Sequence, residues 1–133
     1  MLTRRGFTAC ALCAVAGFMA TGADGQSGTG GLKRTNLSRV DGPTPGYETI
    51  EARVDIDPGA VVARHTHFGI ETSYVVAGEL ELTIDGQGTK IYKAGDGFQV
   101  PTGVPHGGKV ADQPVVIAGV YVVEKGKPLA TPA

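Results

Sequence analysis

All three histidines of this 133-residue chain fall in two short stretches. His65 and His67 lie in Ala63-Arg64-His65-Thr66-His67, and His106 directly follows Pro101-Thr102-Gly103-Val104-Pro105. Glu71 comes four positions after His67 and adds a carboxylate to the imidazoles. Nitrogen and oxygen donors in this combination form a ligand set for one divalent transition metal ion: Fe, Mn, Ni, Co or Cu, with Zn compatible but not singled out by a set without sulfur. Four protein ligands on an octahedral ion leave two positions for water, dioxygen or substrate. Glu71 has a second reading, as a catalytic general base held beside the ion. Ligation is preferred, because a buried carboxylate without a partner is costly.

The elements that must position these residues read as strands. His65 and His67 are two apart, a spacing that puts both side chains on one face of a strand. Ile50, Ala52, Val54 and Ile56 alternate with Glu51, Arg53 and Asp55, and Leu80, Leu82 and Ile84 alternate with Glu79, Glu81, Thr83 and Asp85. Between them, residues 61–67 and 72–77 are expected strands, with Phe68-Gly69-Ile70 turning the chain so that Glu71 opens the neighbouring strand. Asp85-Gly86 marks a hairpin, residues 89–92 return, and residues 98–100 run into the Pro101–Pro105 loop. Residues 32–46 read as an edge strand followed by turns, residues 115–123 as a strand buried on both faces, and the tail 124–133 as peripheral. With 21 glycines, turn signals at short intervals and no run of helical period, the chain is expected to be all-β, a closed sandwich or barrel with the metal site inside.

At this point a resemblance can be named. Gly59-x5-His65-x-His67-x3-Glu71-x6-Gly78 and Gly95-x5-Pro101-x-Gly103-x2-His106 resemble the two motifs of the cupin superfamily. The second motif usually closes with Asn after three further residues, where this chain has Val110. The resemblance implies a double-stranded β-helix, or jelly roll, in which His65, His67, Glu71 and His106 are the metal ligands. It also implies that Gly78 and Gly95 sit at tight turns where a side chain would obstruct the hairpin.

The N-terminal residues 1–23 read as a signal peptide. Thr3-Arg4-Arg5-Gly6-Phe7 resembles a twin-arginine export signal, residues 9–20 are apolar but too few to span a bilayer, and Thr21-Gly22-Ala23 suits a signal peptidase. A general secretory signal with two arginines in its basic region is the alternative. Cys10 and Cys13 would leave with this segment, so their C-x-x-C spacing is not read as a redox or zinc motif. Residues 24–31 form a glycine-rich flexible spacer, and residues 32–133 a single cupin domain, expected to be periplasmic or secreted and without a stable membrane anchor after cleavage.

A formal charge of −1 offers no basic face, which argues against nucleic acid as a partner. With every histidine committed, no Ser/His/Asp or Cys/His set can be assembled, and phosphate-binding loops are absent. The metal is the source of chemistry, and the partner is a small molecule. A dioxygenase-like oxidoreductase is the favoured reading; a non-catalytic metal- or ligand-binding protein and a metal-dependent isomerase or decarboxylase are the alternatives. A homodimer is expected by analogy with small cupins. Tyr74, Phe98 and Tyr121 read as core packing ahead of pocket lining, and Arg53 and Arg64 as solvated side chains ahead of clamps for an acidic substrate.

Overall fold

A computed structural model describes residues 30–133. The expected signal peptide, with Arg4, Arg5, Cys10 and Cys13, and most of the expected spacer lie outside the described residues. The described chain forms β1 (Leu32–Asp41), β2 (Tyr47–Ile56), β3 (Val61–Thr66), β4 (Gly69–Ala77), β5 (Glu79–Ile84), β6 (Gly88–Lys93), β7 (Gly97–Val100), β8 (His106–Val110), β9 (Val115–Glu124) and β10 (Thr131–Pro132). Two five-stranded antiparallel sheets result, ordered β1-β2-β9-β4-β7 and β10-β3-β8-β5-β6. Facing each other, they make a β-sandwich jelly roll.

Period-two alternation explains which residues line the interior. Ile50, Ala52, Val54 and Ile56 of β2 are buried, as are Leu80, Leu82 and Ile84 of β5. Val75, Val100, Val110, Val115 and Ile117 join Val54, Ile56, Leu80, Leu82 and Ile84 in the main apolar cluster. Val110 thus occupies the usual asparagine position of the motif as a core residue, and its N–H donates to the Ala60 carbonyl at 2.9 Å. A second cluster of Ile50, Ala52, Tyr121 and Val123 lies toward the other end.

Register across the first sheet sorts the inward side chains into rows. One row is Arg34, Val54, Ile117 and Val75; the next is Asn36, Ala52, Gly119, Ser73 and Phe98; the third contains Ile50, Tyr121, Glu71 and Val100. The middle row is made largely of small side chains, and the Tyr121 ring of the third row leans over it: a Cβ at Gly119 would meet the Tyr121 hydroxyl at 3.1 Å.

Several expectations are corrected. β9 alternates instead of being buried on both faces, because the outer face of its sheet is open and leaves Ala118 and Val120 exposed. Tyr74 is 51% exposed on the same outer face and is not core. β4 starts at Gly69, earlier than expected, and pairs with β9 and β7 rather than with β3, so the link between them crosses from one sheet to the other. The tail is not peripheral: β10 pairs with β3, Thr131 opposite Thr66 and Pro132 opposite His65. At Gly78 a Cβ would meet the Pro114 carbonyl oxygen at 2.3 Å, whereas at Gly95 no atom lies within 4 Å and the requirement is the left-handed φ of 97°.

Gly69 carries the tightest constraint, since a Cβ there would sit 1.9 Å from the Val122 carbonyl oxygen, in the segment that delivers Glu71. Gly69→Ala is expected to destabilise the fold by about 3 kcal/mol or more through overpacking against backbone. Urea denaturation followed by circular dichroism checks this, and an unchanged midpoint would contradict the β4–β9 register.

Candidate metal centre

Each candidate ligand is delivered by a different local device. His65 lies on β3 opposite His106, the first residue of β8. Gly107 lets these strands approach closely, because a Cβ there would meet the Val62 carbonyl oxygen at 2.9 Å. His67 follows the end of β3, where its carbonyl accepts from Gly103 N–H at 3.0 Å and ties the two histidine-bearing loops together. Glu71 enters from β4 in the opposite sheet.

The ligand atoms of His65, His67 and His106 lie within 4.8 Å of one another. In all three rings Nδ1 faces a backbone carbonyl: Ala63 for His65 at 2.8 Å, Val104 for His106 at 3.0 Å, and Leu129 for His67. A carbonyl only accepts, so Nδ1 must carry the ring proton, which leaves a lone pair on Nε2 of each neutral imidazole. Burial pushes His65 down to about 4, which keeps that ring neutral.

Glu71 completes the cluster. Its Oε2 lies 3.0 Å from His67 Nε2 and 3.3 Å from His106 Nε2, and its Oε1 accepts from the Ser73 hydroxyl at 2.6 Å. Burial alone would push this carboxyl up, but contacts with His106, His67 and Ser73 hold it well below the usual carboxylate range. A carboxylate oxygen facing Nε2 lone pairs is stable only with a cation between them, either a second ring proton or a metal ion. His106 Nε2 is buried and has no hydrogen-bond partner. Donors about 3 Å apart are also spaced as neighbouring ligands that each sit about 2.1 Å from one ion. The residues therefore fit a metal.

Tyr121 closes the site from β9, its ring centroid 5.1 Å from that of His67. Burial, together with the Glu71 carboxylate, pushes its hydroxyl well above the usual tyrosine range and keeps it protonated. A cavity of about 40 Å³, lined by His65, Glu71, His106, Phe98 and Tyr121 among others, adjoins the cluster. It holds a few water-sized groups.

A β-sandwich jelly roll whose interior carries three convergent histidines defines a class of small metal-capable β-barrel domains. The chain belongs to the cupin family: the sequence profile of the cupin domain matches residues 52–127. No curated protein matches it significantly in sequence. Among solved structures, it is similar to an RmlC-like cupin from Shewanella frigidimarina, with 30% identity and a TM-score of 0.60 over 73% of this chain and 80% of that one. The polyketide cyclase RemF from Streptomyces resistomycificus matches at 22% identity and TM-score 0.60, covering 77% of this chain and 70% of that one. The DMSP lyase DddQ from Ruegeria pomeroyi matches at 22% identity and TM-score 0.64, covering 77% and 52% respectively. The latter two likenesses concern the fold.

The structure brings His65, His67, Glu71 and His106 together. Phe98 and Tyr121 line the cavity, so their aromatic rings serve core and site at once, while Arg53 and Arg64 lie at the surface paired with Asp55 and Asp85. Sequence reasoning missed Ser73, although its place two residues after Glu71 on a strand implies the same face. It also missed the Leu129 carbonyl, which carries no signal of residue type.

Deleting residues 128–133 removes that carbonyl together with β10, freeing the His67 ring to rotate. Affinity for Zn²⁺ is expected to fall about 10–100-fold, as for other losses of a partner that orients a ligand. Competition against a chromogenic chelator measures this, and unchanged affinity would contradict the assigned role of the tail.

Proposed function

We propose that the protein is a metal-dependent oxidoreductase of the dioxygenase kind, acting on a small organic molecule in the periplasm. His65, His67 and His106 hold the ion, and Glu71 is the fourth ligand. The observation that carries this reading is the Glu71 carboxylate facing the Nε2 atoms of His67 and His106 in a buried cluster, a contact that needs a cation. When bound, the ion supplies Lewis acidity and open positions for dioxygen or substrate.

The chain's own residues do the remaining work. Burial between the two sheets keeps His67, Glu71 and His106 from bulk water, which strengthens the electrostatic contacts among them. Ser73 fixes Oε1 of Glu71, so the carboxylate presents Oε2 to the histidines. Tyr121, held protonated, offers a hydroxyl to a developing negative charge.

Iron-loaded protein is expected to consume oxygen with a phenolic or diketone substrate, and His106→Ala to lower that rate at least about 100-fold through loss of the ion. An oxygen electrode with a panel of both compound classes makes the measurement. Absence of uptake across the panel would count against dioxygenation.

A second reading, isomerase or decarboxylase chemistry on the same ion, draws support from the Glu71 carboxylate and the Tyr121 hydroxyl lining one cavity beside the histidines. The fold is also shared with proteins described as a cyclase and a lyase. Turnover that persists without oxygen selects it.

Periplasmic location rests on Arg4 and Arg5. Replacing both by Lys is expected to abolish export through the twin-arginine route. Immunoblots of periplasmic fractions check this, and unchanged export would refute the route.

A further inference from the structure

Among the described residues, Arg34 is the one arginine that the catalytic reading leaves unused and the surface does not explain. It lies on β1, faces inward and is only 8% exposed. Among the described residues, the other arginines are paired: Arg39 with Glu48, Arg53 with Asp55 and Arg64 with Asp85. No carboxylate among the described residues forms an ion pair with Arg34, and its Nε is buried without a hydrogen-bond partner. Its guanidinium carbon lies 5.4 Å from the centroid of the Tyr121 ring.

The inward register of β1 places the side chain there, opposite Val54. A Cβ at Gly119 would meet Ser73 Oγ and the Tyr121 hydroxyl at 3.1 Å each, so the bare backbone at Gly119 is what admits the Tyr121 ring on which the Arg34 guanidinium lies. Arg34 thereby forms part of the wall of the inner cavity, with His65, Glu71 and His106, and also of an outer groove of about 560 Å³ that includes Arg39, Lys127 and Leu129. It stands where the two spaces adjoin.

Charge balance sets what the site takes. The Glu71 carboxylate is already engaged by His67, His106 and Ser73, so it does not neutralise Arg34. A divalent ion in the cluster would leave the interior with an excess of two positive charges. An arginine fork desolvated on an aromatic ring is suited to binding a carboxylate through two parallel N–H···O bonds. We infer that Arg34 anchors the carboxylate of a small organic-acid ligand that spans the cavity, with its other end at the three-histidine centre. The second half of this inference rests on the metal reading, whereas the guanidinium site does not.

The test uses propionate and its uncharged isostere propionamide as probes, followed by chemical-shift titration of the ¹⁵N-labelled protein with and without Zn²⁺. Propionate is expected to shift the amides of Val54, Ile117 and Tyr121, which line the cavity with Arg34, in both forms, and propionamide to leave them in place. Arg34→Gln should weaken propionate binding about tenfold or more, and Arg34→Lys less, with Zn²⁺ affinity unchanged in both. The lysine variant keeps a charge in the interior and guards against a folding defect in the glutamine variant, with thermal melts confirming both folds. Equal propionate affinity in wild type and Arg34→Gln, equal binding of propionamide, or no shift at these amides would each overturn the proposal. Wild-type protein that fails to bind Zn²⁺ but still binds propionate through Arg34 would refute the metal reading and uphold the anchor.

Discussion

Three imidazole protons are committed to three backbone carbonyls, and the rest of the site depends on that commitment. Ala63, Val104 and Leu129 each take the Nδ1 proton of one histidine, so the tautomer and ring angle are set by main chain instead of by other side chains. A main-chain acceptor moves only if the strand or loop carrying it moves. The lone pairs on Nε2 are therefore aimed before any ligand arrives, and the reorganisation needed to bind an ion is small. Glu71 then meets these nitrogens from the opposite sheet, which makes the spacing of the sheets part of the coordination geometry.

Much of this was legible in the chain. The i, i+2 histidines, the carboxylate four residues on and the glycine-framed loops identify the cluster, and the alternation of β2 and β5 identifies the strands that wall it. Other features depend on pairings that local patterns do not encode. That β3 and β4 belong to different sheets follows from β9 pairing with both β2 and β4, a contact between segments 39 residues or more apart in sequence. The apolar run of β9 suggested burial on both faces, but hydrophobicity does not reveal whether a second layer exists to cover an outer face. Tyr74 was misread for the same reason. Arg34 carries no local signal, because a cation on an edge strand reads as solvated, and only its register opposite Val54 places it in the interior.

The small side chains of the middle row divide the interior into zones of different character. On one side of the Asn36–Ser73 row the sandwich is packed with branched aliphatic side chains, and on the other it carries polar groups around the cluster. Interiors tolerate little unfilled volume, and along the row it is the Tyr121 ring that fills what the small side chains leave. Gly119 is the narrowest point of this compromise, since any side chain there would press on both Ser73 and Tyr121.

The passage of the chain from one sheet to the other between His67 and Glu71 also has a mechanical meaning. His65 and His106 belong to one sheet and Glu71 to its partner, so an ion shared among them acts as a cross-brace between the layers. Residues 30–133 contain no cysteine, and no disulfide within them can play that part. A ligand that binds only the folded arrangement stabilises it in proportion to the logarithm of its concentration over its dissociation constant. With such an ion bound, the domain's resistance to unfolding would follow the metal supply around it, and a brace of this kind can be withdrawn and restored without breaking a covalent bond.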